Sequence, residues 1–252
     1  MLLKARKPDS YREAIHLFEC AAALDPRSIE ARGRLAHSLV SRVLDGMADS
    51  AAADLARAEG LVERALASSP RYAPAHFVKG HLLRAQNRWG EAIPEYEMVL
   101  ASNRNSAVAL SRLGWCKLYV GSIEDVIPLV EQAIRLSSRD PGIGSFYQLI
   151  GTVHLLLSRT YEAIVWLEKT RSAMPTVPMN RSRLAAAYAL RGETERAAAE
   201  LAEARRLARD DLFSSIAHLR AFPGAWWGAP KIRALFDATY FAGLRKAGMP
   251  EE

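Results

Sequence analysis

The sequence predicts an all-α protein, a solenoid of helix–turn–helix repeats closed by a C-terminal capping helix. Three observations carry this. Ala, Leu, Arg and Glu dominate the 252 residues, and strand-favouring runs are scarce, a composition of good helix formers. Small residues recur along the chain at one period. Pro26, Pro70 and Pro175 follow the periodic apolar segments, and Gly121 and Gly192 fall at the turns between them, where such residues end helices without breaking them.

The period appears twice, independently. Ala58, Ala92, Val126, Ala163 and Ala197 are spaced by 34, 34, 37 and 34 residues. Gly80, Gly114, Gly151 and Ala185 are spaced by 34, 37 and 34. Both series slip by three at the same place, which locates an insertion near Ser138 to Gly144. Fixed self-similarity of this kind marks a repeat architecture.

In chain order, Ala14, Phe18, Ala21 and Pro26 match only the second helix of a repeat, whose first helix would lie before Met1. The next repeat has Leu35-Ala36 and Leu39, then Ala58, Val62, Ala65 and Pro70. It carries about ten extra residues around Leu44 to Ala53, relative to a ~34-residue period. Gly80, Leu83, Ala92, Tyr96 and Val99 define the third. Leu113-Gly114, Gly121, Val126, Val130 and Ala133 define the fourth. Tyr147, Ile150-Gly151, Ala163, Leu167 and Pro175 define the fifth, and Leu184-Ala185, Tyr188, Gly192, Ala197, Leu201 and Ala204 the sixth. In this pattern the chain resembles the tetratricopeptide repeat (TPR) family, whose ~34-residue hairpins place small residues where helices cross. The resemblance implies a right-handed α-solenoid. The array is expected over residues 1–209, about five full repeats after the partial one, and capping helices over 210–252.

Two helices that cross closely need Gly or Ala on one side, with larger side chains at i, i+3, i+4 and i+7 filling the groove beside it. Each hairpin alone leaves an apolar face open, and its neighbour buries it. Gly121 and Gly192 fall at the turns within repeats, where helix C-termini favour glycine. Asp210 to Leu219 reads as a short helix with Asp210 or Asp211 as N-cap. Ala221 to Gly228, with Pro223, Gly224, Trp226 and Trp227, reads as a bend. Pro230 to Ala247 reads as an amphipathic helix carrying Ile232, Leu235, Phe236, Tyr240, Phe241 and Leu244 on or near one face. This helix is expected to cap the last open face, with Trp226 and Trp227 beneath it; the competing reading makes it a docking segment for a partner.

The tail Lys231 to Glu252, with its ending Phe-Ala-Gly-Leu-Arg-Lys-Ala-Gly-Met-Pro (Phe241 to Pro250), resembles the ends of bacterial multidomain signalling proteins. In these, a class III adenylate or guanylate cyclase, or a winged-helix regulator, precedes a repeat array. Ala51 to Leu66 and Gly90 to Asn105 resemble the same tails. This resemblance implies a repeat module of a larger bacterial signalling architecture, standing alone.

Catalytic chemistry is not expected. Asp25, Asp45, Asp140 and Asp211 sit at turns and helix starts, where aspartate caps backbone. His16, His37, His76, His81, His154 and His218 are scattered, and His76 and His81 are not at the i, i+4 spacing of a helical metal pair. No phosphate-cradling Gly-Lys-Ser/Thr loop and no nucleophile elbow occur. No cofactor and no metal are expected. Cys20 and Cys116 are the only cysteines; two isolated thiols make neither a disulfide framework nor a metal cluster, and they fit a cytoplasmic setting. Met1 to Ser10 does not read as a secretory signal, and no stretch approaches the ~20 apolar residues that span a bilayer.

The TPR resemblance implies a protein or peptide ligand held in a concave groove lined by the first helix of each repeat. The positions carried over are Phe77, His81 and Arg84, then Ser111, Trp115 and Tyr119, then Gln148 and Thr152. Aromatics with arginine nearby are enriched at binding hot spots; for Trp115, packing between repeats is the equal alternative. The family's lysine-and-asparagine clamp for C-terminal carboxylates is not visible at these positions. The resulting reading is a protein–protein interaction module, regulatory or sensory in role. A basic solenoid binding nucleic acid is the alternative from a different class, since the net charge is +6 and Arg6, Lys7, Arg12, Arg27, Arg32 and Arg34 enrich the N-terminal region. A non-catalytic remnant of an adenylate cyclase is the third.

Overall fold

A computed structural model describes residues 8–208, 211–221 and 228–252. All regular structure among them is helical. The chain divides into two compact units, Met1–Ala109 and Leu110–Glu252.

The first unit holds α1 (Pro8–Leu24), α2 (Ile29–Leu44), α3 (Ala51–Ser68), α4 (Ala73–Ala85) and α5 (Trp89–Ser102). Helices α2 and α3 form one hairpin, α4 and α5 the next, and α1 packs on α2. Ser28 and Ser50 cap α2 and α3, their hydroxyls accepting from Ala31 N at 3.1 Å and Ala53 N at 3.3 Å. These bonds satisfy backbone donors that have no partner within the helix. Ile15, Leu35, Leu39, Val62, Val78 and Leu82 make the core. The extra residues of the second repeat lengthen α2 and α3 and widen the turn between them to 45–50. Arg42 of α2 grips Asp54 of α3 through two bonds of 2.8 and 2.6 Å, so the lengthened hairpin is tied by a charge-assisted fork.

The second unit takes most of α6 (Ala107–Val120). It continues with a 3₁₀ turn (Ile123–Asp125), α7 (Val126–Leu136), α8 (Ile143–Leu156), α9 (Thr160–Ala173), α10 (Pro178–Leu190) and α11 (Thr194–Leu207). The insertion that the spacing locates is the connection 137–142, longer than 103–106 or 174–177 elsewhere. Helices α8 and α9 pair, as do α10 and α11, and α9 packs on α10. Glu200 of α11 is buried and accepts from Arg171 of α9 at 2.5 Å and Arg181 of α10 at 3.0 Å, joining three helices through one carboxylate.

Small residues stand where the helices cross. A Cβ on Gly80 would lie 2.8 Å from the Tyr96 ring, and one on Gly151 would lie 2.8 Å from Leu167 Cγ. On Gly114 it would meet Leu149 and Val130 at 3.1 and 3.2 Å. Ala185 is fully buried at the equivalent place.

The terminal part departs from the repeat. Helix α12 (Ile216–Ala221) is followed by α13 (Pro230–Phe236), a π turn (Asp237–Phe241) and α14 (Ala242–Lys246). The short helix starts later than expected, and its cap is Ser215 rather than Asp210 or Asp211. Ser215 Oγ accepts from His218 N at 3.0 Å, while Asp211 lies upstream in a turn that Ser214 N closes on Asp211 O at 2.8 Å. Asp210 lies outside the described residues, as do Trp226, Trp227 and the bend that holds them. From Pro230 on, Ile232, Phe236, Tyr240, Phe241 and Leu244 are buried as the periodicity predicts, and Leu235 is half-buried. The face they cover is that of first helices: α14 and the π turn pack on α10, and the π turn also packs on α8.

Candidate binding surface

The face in question is built by first helices, whose inward side is fixed by the crossing residues and whose opposite side is left to other contacts. In the first unit, Phe77, His81 and Arg84 lie on α4. Phe77 and His81 belong to a ring cluster that also takes His37 of α2 and Tyr96 of α5. The ring centroids are 4.4 Å apart for Phe77–His81, 6.1 Å for His37–Phe77 and 6.0 Å for Phe77–Tyr96. His81 Nδ1 lies 2.9 Å from Tyr96 Oη and 3.1 Å from Phe77 O. His81 is buried, whereas Phe77 and Arg84 keep part of their surface in solvent. The Arg84 guanidinium stands 5.9 Å over the Trp89 ring, a spacing at which the ring quadrupole attracts the cation. His37 joins the cluster from another repeat, a pairing that spacing within one repeat does not signal. On the far side of α4, Glu95 of α5 takes His76 and Lys79, each at 2.6 Å.

In the second unit, Ser111, Trp115 and Tyr119 lie on α6, and Gln148 and Thr152 on α8. Trp115 and Tyr119 stack at 5.9 Å with their planes 20° apart, and only 8% and 7% of their surfaces are exposed. Ser111 and Thr152 are fully buried, and Thr152 Oγ1 donates to Gln148 O at 2.7 Å. Gln148 alone of these five is half-exposed.

The terminal segment explains part of this burial. Ala229 N donates to Tyr119 O at 2.7 Å, which seats the start of α13 at the end of α6. Lys231 Nζ lies 3.6 Å from Glu124. Farther along, Tyr240 Oη is 2.6 Å from Ser182 Oγ and 3.6 Å from Met179 Sδ, both on α10. Gly243 lies so close to α10 that a Cβ there would fall 2.5 Å from Ala186 O. Burial pushes the Tyr240 phenol up to about 12, with neighbouring Arg183 and the Ser182 bond acting the other way. The segment thus meets α6 at its C-terminal end and packs on α8 and α10.

Outside these faces, Lys169 Nζ sits 4.1 Å over the Trp166 ring and 6.0 Å over Tyr147. Among the described residues, no group of three or more His, Cys, Asp or Glu is placed to hold a metal ion, and no helix is long and apolar enough to cross a membrane. In the basic N-terminal region, Arg12 pairs with Asp9 and Arg34 with Glu30. Arg32 binds the backbone carbonyls of Ser28 and Arg27, while Arg6 and Lys7 lie outside the described residues.

No protein-family model matches this sequence, and no curated protein does. Solved structures do. PilF of Pseudomonas aeruginosa is similar at a TM-score of 0.60 and 17% identity, over 87% of this chain and 97% of that one. TTC0263, a thermophilic TPR protein of Thermus thermophilus, is similar at 0.57 and 21%, over 71% and 93%. BtubC (BKLC) from P. vanneervenii is similar at 0.57 and 17%, over 87% and 93%. At such identities the likeness is one of fold, and it is the fold that the repeat spacing predicts: an all-α, TPR-type α-solenoid.

Proposed function

We propose that this chain is a protein-binding module that holds a protein or peptide ligand on its first-helix faces. The observation that carries the reading is the state of α4. Phe77 and Arg84 stay partly in solvent on a scaffold that already fixes them, Phe77 within the ring cluster and Arg84 over Trp89. Pre-ordered aromatic and arginine side chains lose little entropy on binding, which is why they recur as hot spots. His81 supports Phe77 from below. In the second unit, Gln148 offers the accessible contact, while Ser111, Trp115, Tyr119 and Thr152 shape the surface rather than form its outer layer. A ligand of this surface is extended or helical, the two shapes that grooves between helices take.

The finer assignment, a regulatory or sensory role akin to cyclase-associated tails in a cytoplasmic bacterial signalling protein, rests on the Phe241 to Pro250 resemblance. Division of the chain into an array over 1–209 and capping helices over 210–252 belongs with it.

Affinity capture from native extract tests the binding role. Phe77→Ala and Arg84→Ala, each folded by circular dichroism, are expected to lose at least about tenfold of partner recovery, since hot-spot truncations cost about 2 kcal/mol or more. Equal recovery by both variants rejects the α4 surface.

A further inference from the structure

Beneath the terminal helix the second unit holds a charge with no partner among the described residues. Arg183 of α10 is 5% exposed, and its Nε and Nη1 are buried without a hydrogen bond. Asn180, one turn earlier on the same helix, is fully buried with neither carboxamide atom bonded. The ionisable groups acting on Arg183 are the phenols of Tyr240 and Tyr119, and burial drives its pKa down. The covering segment has one carboxylate within its helices, Asp237, and two at the chain end, Glu251 and the exposed Glu252; none is paired with Arg183. Asp237 pairs with Arg220, and Glu251 takes Arg245 at 2.7 and 2.9 Å. What the segment lays over α10 is aromatic and aliphatic.

Removing a guanidinium from water without an anion disfavours the covered state, as does an unbonded carboxamide. The same helix is held by apolar contacts at Ile232, Phe236, Tyr240 and Leu244, spaced by four, with Phe241 turned inward as well. The π turn makes that possible, because its wider turn brings Tyr240 and Phe241 to one side. Cover and site are therefore matched in shape and mismatched in charge. We propose that the terminal helix is a displaceable occupant of the α8–α10 face, and that the ligand replacing it is an amphipathic helix with the same apolar spacing and a carboxylate where Tyr240 stands, paired to Arg183. This deepens the protein-binding reading and rests on it: the ligand class is acidic, and the chain competes for its own site.

The test uses the full chain and two synthetic peptides spanning residues 229–247, one Tyr240→Glu and one Tyr240→Gln. On the unaltered chain, excess Tyr240→Glu peptide is expected to speed amide exchange of residues 242–246 at least about threefold, the sign of a helix released from its seat, and the Tyr240→Gln peptide less. Gly243→Leu, which cannot approach Ala186, is expected to bind the acidic peptide at least about tenfold more tightly than the unaltered chain, because a tethered competitor present at an effective millimolar concentration is gone. On that variant the acidic peptide should bind about tenfold better than its amide counterpart, the worth of a charge-assisted bond. The preference should vanish in Gly243→Leu/Arg183→Met. Equal binding of the two peptides, or unchanged exchange on the unaltered chain, overturns the proposal. Should Gly243→Leu fail to fold, the exchange measurement decides alone. Capture of partners through Phe77 and Arg84 would survive that failure, so the two readings fall separately.

Discussion

The turn inside each hairpin comes down to one residue with a left-handed backbone. Asn87, Gly121, Ser158 and Gly192 have φ of 59°, 101°, 58° and 80°. They stand one in each of the four hairpins from α4–α5 onward, spaced by 34, 37 and 34 residues, while Gly46, with φ of 67°, stands in the lengthened α2–α3 turn. Each of the four is followed by a bond from the next N–H back to the helix: Arg88 to Leu83, Ser122 to Lys117, Arg159 to His154, Glu193 to Tyr188, at 2.8 to 3.0 Å. That closure satisfies carbonyls at the helix end and demands the left-handed residue. Gly121 and Gly192 were legible as turn residues because glycine announces the conformation; Asn87 and Ser158 were not, because their side chains disguise it. Ser158 bears a cost that glycine would not. Ser158→Gly is expected to stabilise the chain by about 0.5–1 kcal/mol in denaturant melts, and a loss of stability would contradict the turn. Four residues upstream, His154 is half-buried with Nδ1 unbonded, and burial holds its pKa below the ordinary 6.5, against the pull of Glu162 and Glu131 and with that of Arg159. A folded-state pKa below the unfolded one means that the unfolded chain takes the proton first. Stability is therefore full above about pH 6.5, falls as pH drops from there through the folded-state value, and levels off below it. His154→Phe should flatten that part of a melting-temperature profile; an unchanged slope would assign it to other groups.

At the scale of the element, the crossing residues rank themselves. At Gly151 an added Cβ meets Leu167 Cγ at 2.8 Å and the Leu167 backbone N at 3.2 Å, so a helix must shift. At Gly114 it meets only side-chain ends, at 3.1 Å and beyond, and those can rotate. Overpacking a core costs about 1–3 kcal/mol. Gly151→Ala is expected near the upper end and Gly114→Ala near the lower, read from paired denaturation midpoints; the reverse order would mean that the hairpins relax as bodies rather than by side chain. Helix positions were legible because period and punctuation agree: small residues mark crossings, and Pro26, Pro70 and Pro175 mark exits. The terminal helix was legible only in part. Amphipathicity says that one face is buried, but not against what. The periodicity placed Ile232, Phe236, Tyr240 and Leu244 inward, while the partner surface on α8 and α10 depends on chain direction after α12, which no local pattern encodes. The same limit hid Arg183 and Asn180, which sit in the polar first turns of α10 and become unusual only once covered.

For the molecule as a whole, the terminal segment decides how much of the second unit faces solvent. A repeat array leaves an open surface wherever no neighbour follows, and here residues from 229 on lie over first helices. Five apolar side chains go with them, Ile232, Phe236, Tyr240, Phe241 and Leu244, all at 2% exposure or less. Fully burying such a side chain is worth about 1.5–3 kcal/mol, so the segment contributes to stability even though it leaves Arg183 without an anion. Its two effects have different addresses: hydrophobic burial acts on α8 and α10, and the charge mismatch acts at Arg183 alone. Removing residues 229–252 should then lower the melting temperature and raise binding of a hydrophobic dye, because the apolar first-helix face is uncovered, while helices α8 to α11 keep their far-ultraviolet signal, since their pairing is with one another. Adding Arg183→Met to the shortened chain should change its stability little, for the guanidinium already has water; in the full chain the same substitution should raise the melting temperature, because there it removes a buried, unpaired charge. If Arg183→Met destabilises both forms alike, the guanidinium is a packing element and the covered site holds no unmet demand for an anion.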